Sequence, residues 1–169
     1  PKVMAMESVT ELYKNARPLV DEKSKILVDN GYTVSHLLVN NKWHNVPQNR
    51  RRYYMVAHRV PMAVERLNWS PPYSVSEVLD AVEPGPQRRM GETLAKVLKI
   101  TPPGKNPRKV AEQKGISPAP AFIWHRLHRD ELARPLISRL AHYDEPRPLT
   151  LAECKALAGF PADYQFKQR

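Results

Sequence analysis

Cysteine is nearly absent. Cys154 is the single one among 169 residues, which excludes an internal disulfide and any cysteine-built zinc site. That usage fits a reducing cytosol. No apolar run in the sequence approaches the length that spans a bilayer, and no secretory signal is present. Of the six histidines, the one close pair is His125 and His128, flanked by Arg126 and Arg129. Such neighbours repel a metal cation. No internal repeat or low-complexity tract is visible, and the stacking segments and glycine clamps of the common RNA modules are missing. Acidic residues are the scarcer charge: 17 Asp and Glu against 27 Lys and Arg leave a net charge of +10 and a pI near 9.9. So basic a chain favours a polyanionic partner, nucleic acid first and an anionic membrane surface second. Its length suffices for one ordinary core, with room for a smaller second lobe.

The most informative stretch is Val-Pro-Gln-Asn-Arg-Arg-Arg at 46–52. A Pro-Gln turn delivers three consecutive arginines to the apolar run Tyr53, Tyr54, Met55, Val56, Ala57. Adjacent guanidiniums repel one another, and an anion held at the strand's edge reverses that balance. Arginine suits the task because its planar fork grips phosphate or a base edge through paired donors.

Around this stretch residues 1–59 read as α/β. Residues 2–6 are expected as a short buried strand with Glu7 at its C-terminal end. Residues 17–30 are expected as a helix with Leu19, Val20, Ile26 and Leu27 on one face, stopped by Asn30-Gly31. Residues 32–39 form a strand rich in β-branched and aromatic side chains, 40–48 a polar loop, and 53–57 a further strand. Strand–helix–strand with short links implies parallel pairing inside a layered sheet.

The composition then changes. Thirteen of the 17 prolines fall between Pro61 and Pro148, which implies a loop-rich region. Short helices are expected at 76–82 and at 92–100, the second with Leu94, Val97 and Leu98 inward. Residues 88–114 carry eight basic and two acidic side chains, a candidate phosphate-tracking surface. Near the C-terminus Thr150-Leu-Ala-Glu153 has the pattern of a capping box. Leu151, Cys154 and Leu157 mark the expected buried face of that helix, Gly159 its end, and Phe160-Pro161 bars continuation.

Three landmarks in this order resemble the DNA cytosine-C5 methyltransferases. Met6-Glu7-Ser8-Val9 is similar to the family's Glu-Asn-Val motif at the end of a catalytic-domain strand. Residues 46–52 are similar to its Gln-x-Arg-x-Arg motif. Arg147-Pro148-Leu149-Thr150 through Glu153 to Gly159-Phe160-Pro161 is similar to the Arg-x-Leu-Thr…Glu…Gly-Phe-Pro motif that follows target recognition. Residues 74–82 and 124–138 agree more loosely, so the resemblance covers nearly the whole chain.

The resemblance implies the C-terminal strands of an S-adenosylmethionine-dependent methyltransferase sheet at 1–59, an irregular target-recognition region at 60–146, and a returning helix at 147–169. It places Glu7 as the acid near cytosine N3, and Arg50 and Arg52 as holders of the base carbonyl oxygen. The base must leave the duplex to be reached, and negative charge developing on its ring must be neutralised. Arg51, between them, is expected to meet phosphate, and Gln48 to support the motif. With Gln48 and Arg51, a nucleic-acid surface of Arg88, Arg89, Lys105, Arg108, Lys109, Arg126 and Arg147 is expected, Arg147 mainly organising its lobe. The apolar strand before Glu7 is expected to raise its pKa by burial.

Departures also bear on function. Neither a Phe-x-Gly-x-Gly cofactor turn nor a Pro-Cys nucleophile pair occurs here. Ser8 replaces the family's Asn, and Leu136 stands before Ile137 where the family often has Thr. Cys154, on the apolar side of a capped helix, is expected to be inert. The chain is thus expected to be part of an enzyme, inactive alone, with S-adenosylmethionine bound elsewhere in the complete protein. Its alternative is a DNA-binding accessory protein or split-enzyme subunit without chemistry. The expected partners are double-stranded DNA and, at an exposed sheet edge, a complementary methyltransferase segment or a second copy. Neither membrane nor metal is expected, and the setting is cytoplasmic, bacterial or bacteriophage-encoded.

Overall fold

A computed structural model describes residues 1–64, 70–116, 123, 125–135 and 139–166. Strands β1 (Val3–Ser8), β2 (Thr33–Asn40) and β3 (Arg51–His58) form one sheet, with β3 in the middle. Tyr54 of β3 faces Glu7 on one side and Leu37 on the other, in antiparallel register with both neighbours. The expected parallel pairing is therefore overturned. β1 and β2 do share a direction, and helices α1 (Thr10–Asn15) and α2 (Arg17–Asp29) do cross between them. A later strand occupies the gap, and nothing in the strand–helix–strand pattern itself signals such an insertion.

β1 is an edge strand rather than a buried one, with Val3 43% and Met6 37% exposed. β3 is the sheet's buried strand, Tyr53 and Ala57 being almost fully covered. α2 covers one face through a narrower stripe than its four apolar residues suggested. Val20 is buried and Leu27 half-buried, with Ser24 between them reaching His36 and Met55. Leu19 and Ile26 are each 48% exposed. Gly31 ends the helix at φ +79°, a backbone state that glycine adopts without steric cost.

The second lobe is more ordered than its prolines implied. Helix α3 (Val75–Leu79) starts with a capping box, Ser74 with Glu77. Helix α4 (Glu92–Ile100) buries Val97 and Leu98 as its spacing required. Helix α5 (Pro107–Gln113) went unexpected, although Asn106 caps it and Pro107 occupies its first turn, where a missing N–H costs nothing. Strands β4 (His125–Arg126) and β5 (Leu140–Ala141) pair in parallel. Helix α6 (Leu151–Leu157) has the expected capping box. Leu157 is buried but Leu151 is 55% exposed. Leu151 lies about 200° around the helix from buried Glu153, away from the core-facing stripe.

The core of this lobe joins Val75, Leu79, Leu127, Leu140, Leu149 and Leu157. Leu136 and Ile137 lie outside the described residues, as does Trp124. Among the described residues no helix is long and apolar enough to cross a membrane.

Candidate functional site

The antiparallel register brings the C-terminal end of β1 beside the N-terminal end of β3. Glu7 faces Tyr54, and Arg52 stands two residues earlier on β3, so both side chains leave the same face as diagonal neighbours. They meet: the Arg52 Nε donates to Glu7 Oε1 at 2.6 Å. Arg52 also donates Nη1 to the Arg51 carbonyl at 2.7 Å, which fixes the guanidinium plane. Arg52 is the better covered of the two, with 18% of its side chain exposed against 46% for Glu7. The apolar burial expected around Glu7 is thus not present: β1 is an edge strand, and the carboxyl's neighbour is a cation.

Arg50 is half-buried just ahead of β3. Its carbonyl accepts the Asn41 N–H at 3.1 Å, and its own N–H donates to the Gln48 carbonyl at 2.9 Å. The turn before it is stitched to the second lobe. Asn49 N–H donates to the Ala133 carbonyl and Ala133 N–H to the Pro47 carbonyl, both at 3.1 Å. Gln48, expected among nucleic-acid contacts, is instead 6% exposed inside this junction. The start of the arginine run is therefore held from both lobes.

The remaining expected contacts divide into two sets. Arg51, Arg88, Arg89, Lys105, Arg108 and Lys109 are exposed, with Arg108 paired to Glu112 at 2.9 Å. Arg126 and Arg147 are buried, contrary to a surface role. Arg126 donates to the carbonyls of Leu98, Thr101, His142 and Asp144. It is a cation closing the C-terminal end of α4, where carbonyls lack helical partners. Arg147 donates to both carboxylate oxygens of Glu153 at 2.8 Å and to Glu145. The Glu153 Oε2 also accepts the Thr150 N–H at 2.7 Å.

Titration follows this geometry. Burial alone would raise the Glu153 carboxyl, but the hydrogen bonds from Arg147 and the Thr150 N–H hold it below its ordinary range. Burial, then the Arg147 charge, lowers the His142 imidazole. Burial pushes the Cys154 thiol up, away from nucleophilic use. Tyr143 is pushed up to about 12 by burial and by its hydrogen bond to Asp80.

What the geometry offers chemically is an acid and a guanidinium converging at one end of a sheet, next to a fixed turn, with basic side chains on the second lobe. The sequence reading identified these residues. It missed Lys14, Lys42 and Trp43, which line a cleft on the far side of Arg51. The only local signal for them was an isolated Lys-Trp pair in a polar loop.

The profile of the C-5 cytosine-specific DNA methylase family matches residues 1–169. No curated protein sequence matches the chain. In solved structures, a protein named as a prophage-encoded DNA modification methyltransferase (E. coli) shares the fold with a TM-score of 0.59 at 18% identity, covering 98% of this chain and 61% of its own. The Entamoeba histolytica methyltransferase EhMeth follows at 0.49 and 20%, covering 98% of this chain and 52% of its own. The chain thus spans under two thirds of the length of these structures.

Proposed function

The chain belongs to the C-5 cytosine-specific DNA methylase family, and from that premise we propose that it supplies part of the flipped-cytosine pocket and the target-recognition lobe of an enzyme that methylates cytosine in DNA. The observation that carries the reading is the Glu7–Arg52 pair at 2.6 Å. One flat ring placed against it meets an acid and a planar set of donors at once. Glu7 donates toward N3, and Arg52, with Arg50 two residues before it, holds the carbonyl oxygen. Together they neutralise the charge that nucleophilic attack builds on the ring. Arg88, Arg89, Lys105, Arg108 and Lys109 track phosphates from the second lobe. Arg126 and Arg147 hold that lobe together without touching DNA.

S-adenosylmethionine supplies the methyl group in this family. The six glycines here are scattered singly, none in a Gly-x-Gly spacing, so no residue of this chain is assigned to the cofactor. Cys154 does not fit the nucleophile either: it is partly buried and packs against the second lobe's apolar core. Both parts are assigned to a segment outside these 169 residues, which adds along the outer edge of β1. By itself the chain is inactive.

Complementation tests this. Mixed with a segment bearing a Pro-Cys pair and a glycine-rich cofactor turn, the chain restores methyl transfer to duplex DNA. Glu7→Gln lowers the rate by about 10² to 10⁴, the range of a general acid, and Arg52→Ala by a comparable factor. Rates that survive both substitutions refute the pocket.

A further inference from the structure

We propose that a cleft at this same end of the sheet, on the face opposite Glu7, is a second phosphate-binding site that takes the backbone of a nucleic-acid strand. Its volume is about 500 Å³, and it is lined by Lys14, Leu38, Asn40, Lys42, Trp43 and Arg51.

Strand alternation sets the placement. Arg51 and Arg52 are consecutive on β3 and so leave opposite faces. Arg52 turns to Glu7. Arg51 turns to the side of Tyr53, whose ring packs at a tilt against Tyr13 of α1 with centroids 4.8 Å apart. Leu38 faces Tyr53 across the β2–β3 pair and stays 51% exposed on that side. The arginine run is thus divided between two sites, which also relieves its internal repulsion.

The cleft is built rather than incidental. The Asn40 side chain accepts the Lys42 N–H at 3.3 Å and donates to Asn49 at 2.9 Å, pinning the 3₁₀ turn Asn41–Trp43. The Lys42 ammonium lies 4.2 Å from the Trp43 ring centroid, a cation–π contact that holds it in place. The Trp43 carbonyl accepts the Ser70 N–H at 2.9 Å, so the turn is also fixed from outside.

Charge selects the ligand. Among the described residues no ion pair joins Lys14, Lys42 or Arg51 to a carboxylate, whereas Arg17 and Arg52 each have one. Three uncompensated cations around a concavity focus field on an anion. Leu38 and Trp43 add an apolar floor suited to a sugar or base, the mix that single strands and duplex backbones require. Phosphates of a strand whose base reaches Glu7 on one face would pass this end of the sheet, which favours a polynucleotide over an isolated phosphate.

The proposal rests on DNA being the partner, and its test is separable from that of the base pocket. The 169-residue chain is titrated with a labelled DNA duplex over a range of salt. Each phosphate contact contributes about 0.9 to the slope of log affinity against log salt, so the K14A/K42A/R51A variant loses between about 2 and 3 from that slope. The charge-retaining K14R/K42R/R51K variant keeps it. If the triple alanine variant does not fold, each single alanine variant lowers the slope by about 0.9 instead. An unchanged slope in folded alanine variants overturns the site. Failure of the base pocket would appear only in methyl transfer by Glu7→Gln and leaves this slope untouched.

Discussion

Replacing Glu153 with alanine removes the acceptor on which the second lobe's polar core depends. Glu153 is 2% exposed, and its two oxygens take two N–H donors of Arg147 at 2.8 Å and the Thr150 N–H at 2.7 Å. After the change, Arg147 keeps only Glu145, whose side chain is 50% exposed, as a carboxylate partner among the described residues. Leaving a buried guanidinium so poorly compensated costs about 3–5 kcal/mol. Loss of the reciprocal half of the capping box adds about 1 kcal/mol. A domain of this size is stable by about 5–15 kcal/mol, so the variant approaches the edge of folding. Urea denaturation reads the effect as a lower midpoint at unchanged m. Glu145→Ala, which removes only the exposed partner, costs at most about 1 kcal/mol. A double-mutant cycle of Glu153→Ala with Arg147→Met isolates the pair, because the second change relieves the first. Coupling of at least about 2 kcal/mol is expected. A Glu153→Ala loss below about 1 kcal/mol, or strict additivity in the cycle, would refute the argument.

Acid should weaken the same lobe. Glu153 and His142 both have folded-state pKa values below their ordinary ones, so the unfolded chain binds protons more readily. Their stabilisation is complete above the unfolded histidine value of about 6.5 and is lost as pH falls through the folded values. Thermal melts should show Tm falling steadily below that point, and a flat Tm down to the carboxylate range contradicts it. Arg126→Ala strands the four carbonyls that Arg126 caps and should cost about 3 kcal/mol or more. A variant with wild-type Tm and selectively weakened DNA binding would return Arg126 to the nucleic-acid surface.

How much was legible depended on whether the cause of a feature was local. The Thr150–Glu153 cap was readable because its two hydrogen bonds close within four residues. α4 was readable because its 3.6-residue stripe is complete by itself. Glu7 and Arg52 were readable through motif resemblance, although 45 positions of chain separate them in sequence and only the sheet unites them. Burial of Arg126 was not readable, since its acceptors come from residues 98, 101, 142 and 144. A basic residue beside other basic residues reads as surface until tertiary contacts claim it. α5 was missed because prolines were weighed as breakers, while Pro107 sits in a first turn that tolerates it.

Strand direction decides whether the site can exist. In a parallel β1–β3 pair, the beginning of β3 would lie beside the beginning of β1. Arg52 would then sit near Val3, four residues from Glu7, about 13 Å along the strand at roughly 3.3 Å per residue. A salt bridge between them would be out of reach. Antiparallel pairing puts the end of β1 next to the start of β3, and Glu7 meets Arg52 directly. The expectation of parallel pairing concerned β1 and β2, which do share a direction; β3, inserted antiparallel between them, is the strand that carries Arg52 to Glu7. The same reversal fixes where Arg51 points and brings the end of β2, with its Asn41–Trp43 turn, to that end of the sheet. One topological choice thus gathers the acid, both arginine faces and the lysine–tryptophan turn within a few rungs.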